Sequence, residues 1–482
     1  MENLTKFQNL KELKYLYSFN WNFIPQSLEF LHCQITSTTQ PCVLPNLKRL
    51  RLDQPNYKSS KELDLSKFHQ LEEIQMNNML EFTLLPDNLK ILILSESSLS
   101  ISPSLNFYQL NVLCLEAPLT LISSIMIRNK LPINLKVLSL IEREESKAIK
   151  DIKVGIDIDS RIKEKKKFEA PKNLHTLEIK FNEPFYMKHL ILPNLACLIL
   201  QNLNFSIIES NNKTFNLYEI KQDKALKWQL PASTTILKLN NINSVQLEIP
   251  SNIRVLQLEN CQLTKFEGVL NNLEVLDLSN NHIDSINLNS HPDLIKLNLS
   301  NAQLDLVKPT KIANSCEVLD LYSIKPIRFI SVRYRFPYHL KQLRISVLTD
   351  LVPNLLDVLN DNIEVLIIDG CKNEKSIEEL TLNLTFLVFL EKFQISLTPD
   401  ISLKIRQLNE LKILNLQNLK LENCLNDVIL KEFHAKNVTF NTKSTLNKSV
   451  VKYSIYECKK TENLKRFAIT EKCLYRETRL DI

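Results

Sequence analysis

The chain has 482 residues, 44% apolar and 24% charged, with a formal net charge of +6 and only 3 glycines. That length exceeds one compact core and points to several domains or an elongated repeat array, while the ordinary apolar share excludes wholesale disorder. The glycines Gly155, Gly268 and Gly370 are isolated, which excludes phosphate-cradling loops and the GxSxG nucleophile elbow, both of which need glycine where backbone meets ligand.

The N-terminal stretch MENLTKFQNLKELKYL has no basic segment followed by an apolar one, and no uncharged apolar run reaches the roughly eighteen residues needed to span a bilayer. A soluble, reducing, cytoplasmic or nuclear setting without membrane contact is the expectation. The ten cysteines are spread along the chain, with no CxxC pair, and read as buried reduced thiols. Cys33 stands where an inward leucine belongs, and Cys316 opens a repeat.

Triplets of apolar residues at spacings of three and two begin almost at once, at Leu10, Leu13 and Tyr15. They recur at Leu28, Leu31 and Cys33, then at Leu47, Leu50 and Leu52, with further starts at Leu71, Leu89, Leu110 and Leu135. Proline precedes many of them, as in FIPQSLEFL, LLPDNLKIL and EIPSNIRVL. Its fixed φ and missing amide hydrogen suit an extended approach into a strand.

Two gaps break the period. From Leu135 to Leu174 the chain holds DIKVGIDID and RIKEKKKFE, a charged excursion over residues 141–170. From Leu195 to Thr234, Phe215, Tyr218 and Ile220 supply the missing spacing of a degenerate repeat. KEKKK at Lys163 to Lys167 reads first as a charged loop that stays in water and second as a nuclear import signal, since so short a run often matches by chance.

The clearest stretch is Asn252 to Leu304: NIRVLQLENCQL, NLEVLDLSNNHI and DLIKLNLSNAQL. Leu276 and Leu278, two apart in a strand, point to one side, and Asp277 between them points to the other. One turn of about twenty residues cannot bury its own apolar row, so the core exists only when turns stack. At the ninth place Asn281, Cys261, Cys371 and Cys458 turn inward to satisfy backbone groups where the chain leaves the strand.

Leu273, Leu276, Leu278, Asn281 and Ile283 carry a resemblance to the leucine-rich repeat superfamily, and the proline-led LPxNLKxLxL form is similar to its cytosolic, fungal-like members. The resemblance implies an α/β solenoid shaped as a curved horseshoe, with a parallel β-sheet on the concave face and a convex side of mixed extended, 3-10 and short helical segments. Amphipathic helices are expected in TDLVPNLLDVLND after Thr349 and in NEKSIEELTLNLTFLVFLEKF after Asn373. Starts continue through Cys316, Leu340, Ile363, Leu390 and Leu411, giving a single array of about twenty-two repeats. Residues 425–482 form a degenerate basic end built on Leu430, Val450 and Leu464. From Lys431 onward there are 12 basic and 6 acidic residues, which account for the whole net charge.

The second, third and fifth places of each strand face the concave side. The fifth place gives Gln257, Asp277, Asn298, Asp320 and Arg344, expected to line up in one column. The third gives Val255, Val275, Lys296, Val318 and Gln342, a mixed lane suited to a protein ligand. Lys48, Arg49 and Arg51 on one turn make a second candidate of opposite sign. His32 and His434 lie in concave columns, no HExxH or nucleophile with a spaced base is present, and no catalytic, cofactor or metal residue is assigned.

The resemblance implies a non-enzymatic protein-protein interaction scaffold for an unidentified protein partner. It also brings the alternative of a substrate-recognition subunit of a ubiquitin ligase, with ligase subunits as partners, although no F-box-like helical segment precedes Leu10. Nucleic-acid binding through the basic C-terminal segment is a further alternative; no RNA-binding signature stands beside it.

Overall fold

Alternation decides the local structure. In the sequence VLQLE, Leu256 and Leu258 are buried while Val255, Gln257 and Glu259 are only half-buried, and the same pattern repeats from strand to strand. A computed structural model of the chain describes residues 4–18, 23–34, 44–53, 63–77, 82–95, 109–117, 122, 131–143, 167–193, 195–210, 227–242, 246–266, 270–283, 285–286, 288, 291–302, 312–323, 336–347, 359–370, 379–384, 387–397, 401–406, 411–422, 425, 428–441, 450 and 452–459. It divides into two units, Met1–Ile253 and Arg254–Ile482.

In the first unit ten rungs pair in parallel, in chain order: Glu12–Ser18, Phe30–Gln34, Arg49–Asp53, Glu73–Asn77, Ile91–Ser95, Val112–Ala117, Val137–Glu142, Thr176–Leu192, Cys197–Ser210 and Ile236–Asn240. The second unit has ten of its own: Val255–Glu259, Val275–Asp277, Lys296–Asn298, Val318–Leu321, Gln342–Val347, Val365–Gly370, Lys392–Ser396, Ile413–Leu421, Glu432–Phe440 and Lys452–Tyr456. The fourth and sixth places stack inward as continuous leucine rows, Leu256, Leu276, Leu297, Leu319 and Leu343 among them, all nearly inaccessible.

The rungs also show what meets across each gap. Val137 pairs directly with Thr176, while Lys167–Glu169, at the end of the charged excursion, pairs with His189–Ile191 on the return side; residues 144–166 lie outside the described residues. Cys197 likewise pairs directly with Ile236; Phe215, Tyr218 and Ile220, where a degenerate repeat is expected, lie outside the described residues. Leu464 and the rest of 460–482 also lie outside the described residues.

Where it is described, the return side is β rather than helical. Glu379–Asn383 pairs in parallel with Ser402–Arg406, whose first two residues pair with Lys420 and Leu421 at the end of Ile413–Leu421. This corrects the helix expected in NEKSIEELTLNLTFLVFLEKF, and with it the α/β assignment. Its leucines satisfy two periods at once, and burial of Leu380 and Leu382 two apart settles the period at that of a strand. Thr176–Leu192 and Cys197–Ser210 run on past the corner and pair again on the return side, as do the short strands Leu63–Asp64 with Phe82–Leu84 and Lys227–Gln229 with Gln246–Glu248. The first expected helix, at 349–358, lies outside the described residues. Among those described, the one helical element longer than a single residue is the 3-10 turn Leu4–Lys6, and no helix is long and apolar enough to cross a membrane.

The prolines do more than keep the approach extended. In six repeats the proline carbonyl accepts the amide of the repeat's first apolar residue three positions later, from Leu28 on Pro25 at 3.4 Å to Leu174 on Pro171 at 3.0 Å. Each therefore opens a turn that aims the chain into its strand. The residue just before that leucine links back one rung: Ser27 Oγ donates to Leu10 O at 2.7 Å, and Asn88 Nδ2 to His69 O at 2.6 Å.

Candidate functional site

The open face of each sheet is built by the odd places of the strand, so register decides which side chains are neighbours. In the second unit Gln257, Asp277, Asn298, Asp320 and Arg344 pair in sequence across five rungs, the column expected from the repeat. The column is tied to itself. Asp277 Oδ1 accepts the amide of Ser279 at 3.0 Å and its hydroxyl at 2.6 Å, while Oδ2 accepts Asn298 Nδ2 at 2.9 Å. Asn298 Oδ1 accepts the Ser300 amide, and Asp320 Oδ1 the Tyr322 amide, each at 3.0 Å.

These three side chains thus end their strands by bonding the backbone two residues on, a structural duty the sequence reading did not assign them. Arg344 stacks over the Tyr322 ring at 4.4 Å, donates through Nε to Asp369 at 2.8 Å, and lies 3.6 Å from Asp320. Burial raises the Asp320 carboxyl above its ordinary value, against the Tyr322 amide and Arg344, which lower it.

The basic turn of the first unit is neutralised within the chain. Lys48 pairs with Glu29 at 2.9 Å, Arg49 with Glu12 at 3.1 Å, and Arg51 approaches Asp53 at 3.8 Å. Arg49 also lies over the Phe30 ring. Glu29 is held by Lys11 and Lys48 together, which pull its carboxyl down to about 2. His32 Nε2 lies 2.6 Å from Asp53 Oδ2, and His434 Nδ1 lies 2.8 Å from Ser454 Oγ. The structure places the residues of each sequence-predicted set side by side and surrounds them with partners of their own.

Sequence reasoning missed a different surface. In the first unit the third-place lane runs Ile91, Val112, Val137, Thr176, Cys197, Ile236, and the fifth-place lane Ile93, Cys114, Ser139, Glu178, Ile199, Lys238, each residue paired with the next. Apart from buried Ser139 all are half-buried and face away from the leucine core. Six rungs span about 24 Å at the usual strand spacing. Two charges stand in the strip, Glu178 within it and Lys238 at its last rung; Glu178 accepts Ser139 Oγ at 2.6 Å and pairs with Lys180 at 2.6 Å. Burial works to raise its carboxyl, but Lys180 and Ser139 outweigh that and leave it lowered. The signal was present, since apolar residues fill odd as well as even places from Ile91 onward.

At the corner leaving each strand, Asn281 is fully buried. Its Oδ1 accepts the amides of Cys261 at 2.8 Å and Leu263 at 3.1 Å, and its Nδ2 donates to the carbonyls of Leu258, Leu278 and Ser279. Cys261 and Cys458 serve the same place with thiols donating to Glu259 O and Tyr456 O; Cys371 lies outside the described residues. A leucine-lined strand followed by an inward asparagine that bridges two turns is the arrangement expected from the repeat spacing.

The eighth place carries a second asparagine signal, also missed. Asn202, Asn241, Asn260, Asn280, Asn301, Asn418 and Asn437 all adopt positive φ between 51° and 59°, as do Ser323 and Glu457 in the same place. Asparagine tolerates this left-handed region better than other residues with a side chain, and so turns the corner in a glycine-poor chain. The six described cysteines are free thiols; burial pushes Cys316 up to about 12 and Cys33 further. Among the described residues no group of three or more His, Cys, Asp or Glu could hold a metal ion.

No family model matches the chain, and no curated protein does. A solved structure, that of YopM from Yersinia enterocolitica WA-314, is similar at 17% identity over 99% of this chain and 93% of that one, with a TM-score of 0.37.

Proposed function

We propose that the chain is a non-catalytic binding protein that holds a protein partner against the open face of its repeat sheet. The observation that supports this is the apolar strip of the first unit, from Ile91 and Ile93 through Val112, Val137, Cys197 and Ile199 to Ile236. An outward strand face left in water should alternate toward polar residues, as it does at Arg49 and Arg51. A contiguous apolar face across several rungs marks a contact surface. The charged columns contribute less to binding on this reading, because Asp277, Asn298, Asp320, Arg344, Lys48 and Arg49 are already bonded within the chain.

The test is affinity capture of the full-length protein from its native cells, with Ile93→Asp and Val112→Asp combined against Asp277→Asn and Arg344→Gln combined. The strip variant should lose its main partner with an unchanged melting curve, and the column variant should keep it. The opposite pattern would move the site to the second unit.

A further inference from the structure

Resting on that reading, we infer that the strip of the first unit takes an amphipathic α-helix laid across the rungs, acidic along the flank that meets Lys90 and Lys136. The first argument is spacing. Neighbouring rungs stand about 4.8 Å apart, and the third- and fifth-place lanes lie about 6.6 Å apart along the strand, leaving a shallow furrow between two apolar rows. A helix rising about 1.5 Å per residue repeats its apolar face every 3.5 residues on average, or about 5.3 Å. The mismatch is about 0.5 Å per rung, and it builds to only about 1 Å across Ile91, Val112 and Val137. An extended peptide repeats one face every 6.8 Å or so and falls out of step by about 2 Å at each rung. A helix of sixteen residues or so spans the six rungs.

The second argument is charge. Along the leading flank, at the second place, the rungs carry Lys90, Asn111, Lys136 and His175, with no carboxylate among them. Lys90 is paired with Glu72 at 2.7 Å, whereas Lys136 is exposed and makes no ion pair among the described residues. On the trailing flank, at the seventh place of the same rungs, stand Ser95, Glu116, Ile141 and Lys180, one charge of each sign, with Lys180 already paired to Glu178. The leading flank is therefore the more positive, and a helix with carboxylates beside one edge of its apolar stripe docks with that edge on it. Glu178 is held by Ser139 and Lys180, and the helix residue above it must be small or polar.

All-parallel sheets occur almost only with their faces covered, and helices are what usually cover them. Here the leucine core covers one face, and the other carries no charge across three successive rungs, with Ser139 its one polar residue.

The experiment uses the full-length chain and three fluorescein-labelled 18-residue synthetic peptides. One is an amphipathic helix with leucines at alternating three- and four-residue spacing and glutamates along one flank. The second has the same composition with two interior prolines, and the third replaces the glutamates by lysine. Fluorescence anisotropy should show the first binding at least tenfold more tightly than either other, with Ile93→Asp abolishing binding and Lys136→Glu exchanging the preference between first and third. Equal binding of the proline peptide would overturn the helical occupant. Failure of all three to bind would overturn it too, and native partner capture that remains sensitive to Ile93→Asp would leave the broader binding role standing.

Discussion

The fifth place of the repeat is used in opposite ways by the two units. In the second it holds Asp277, Asn298 and Asp320, each spent on the backbone two residues further on or on the adjoining rung. Along the strip of the first unit it holds Ile93, Cys114 and Ile199, half-buried and facing away from the leucine core, with Ser139 and Glu178 bonded to each other between them. The same geometric position therefore serves as internal mortar along the second unit's column and largely as apolar surface along the first unit's strip. Chemical conspicuousness is a poor guide to a contact surface here, because charged residues find partners at home while apolar ones facing outward cannot.

The sharpest test of this contrast starts from the inward row. Asn281→Leu strands the amides of Cys261 and Leu263 and the carbonyls it bridges, and should cost about 3 to 5 kcal/mol, read as lost hydrogen-exchange protection over residues 255–298. Asp277→Ala removes a strand-ending bond and the link to Asn298, and should cost about 1 to 2 kcal/mol by denaturant titration while leaving partner capture intact. If capture fails instead, the mortar has a second role. Asn280→Ala should cost about 1 kcal/mol more than Asn280→Gly by denaturant titration, because both lose the bonds to Asn301 and Glu259 but only the former forces an unsuitable side chain into positive φ.

The smallest effect belongs to the exposed ladder of the first unit. Glu29 has its carboxyl lowered from 4.5 to about 2 by Lys11 and Lys48, so its contribution is fully present above pH 4.5. It is lost as pH falls toward 2, where the folded form takes up the proton. Glu29→Gln should narrow the difference in melting temperature between pH 5 and pH 2. Solvent screening keeps the change small, and added salt should erase it. A difference unaffected by the substitution would mean that the three side chains do not interact.

The leucine triplets were legible from sequence because the repeat's core is one-dimensional: each inward leucine needs only its equivalent one turn away, and spacing alone reveals it. Asn281 was legible for the same reason. The return side was not, since Leu380, Leu382, Leu384 and Leu387 fit a helical and a strand period together, and pairing with Ser402–Arg406 decided between them. Phe215, Tyr218 and Ile220 had the spacing of a rung, but spacing cannot tell whether the flanking strands have already met. The eighth-place asparagines are invisible to hydrophobic periodicity, because a left-handed corner leaves no apolar trace. The strip escaped notice because searching for function among charges passes over isoleucine and valine.

Those corner asparagines have a mechanical consequence. Glycine would turn the chain equally well but offers nothing to its neighbour, whereas Asn301 donates to Asn280 at 2.9 Å and Asn437 to Asn418 at 3.0 Å. Each corner that bends the chain is thus also stitched to the corner before it, outside the backbone ladder. When such a stack is pulled apart along its length, adjoining turns share the load through an extra seam of amides, and each turn that yields must tear its stitch as well as its strand.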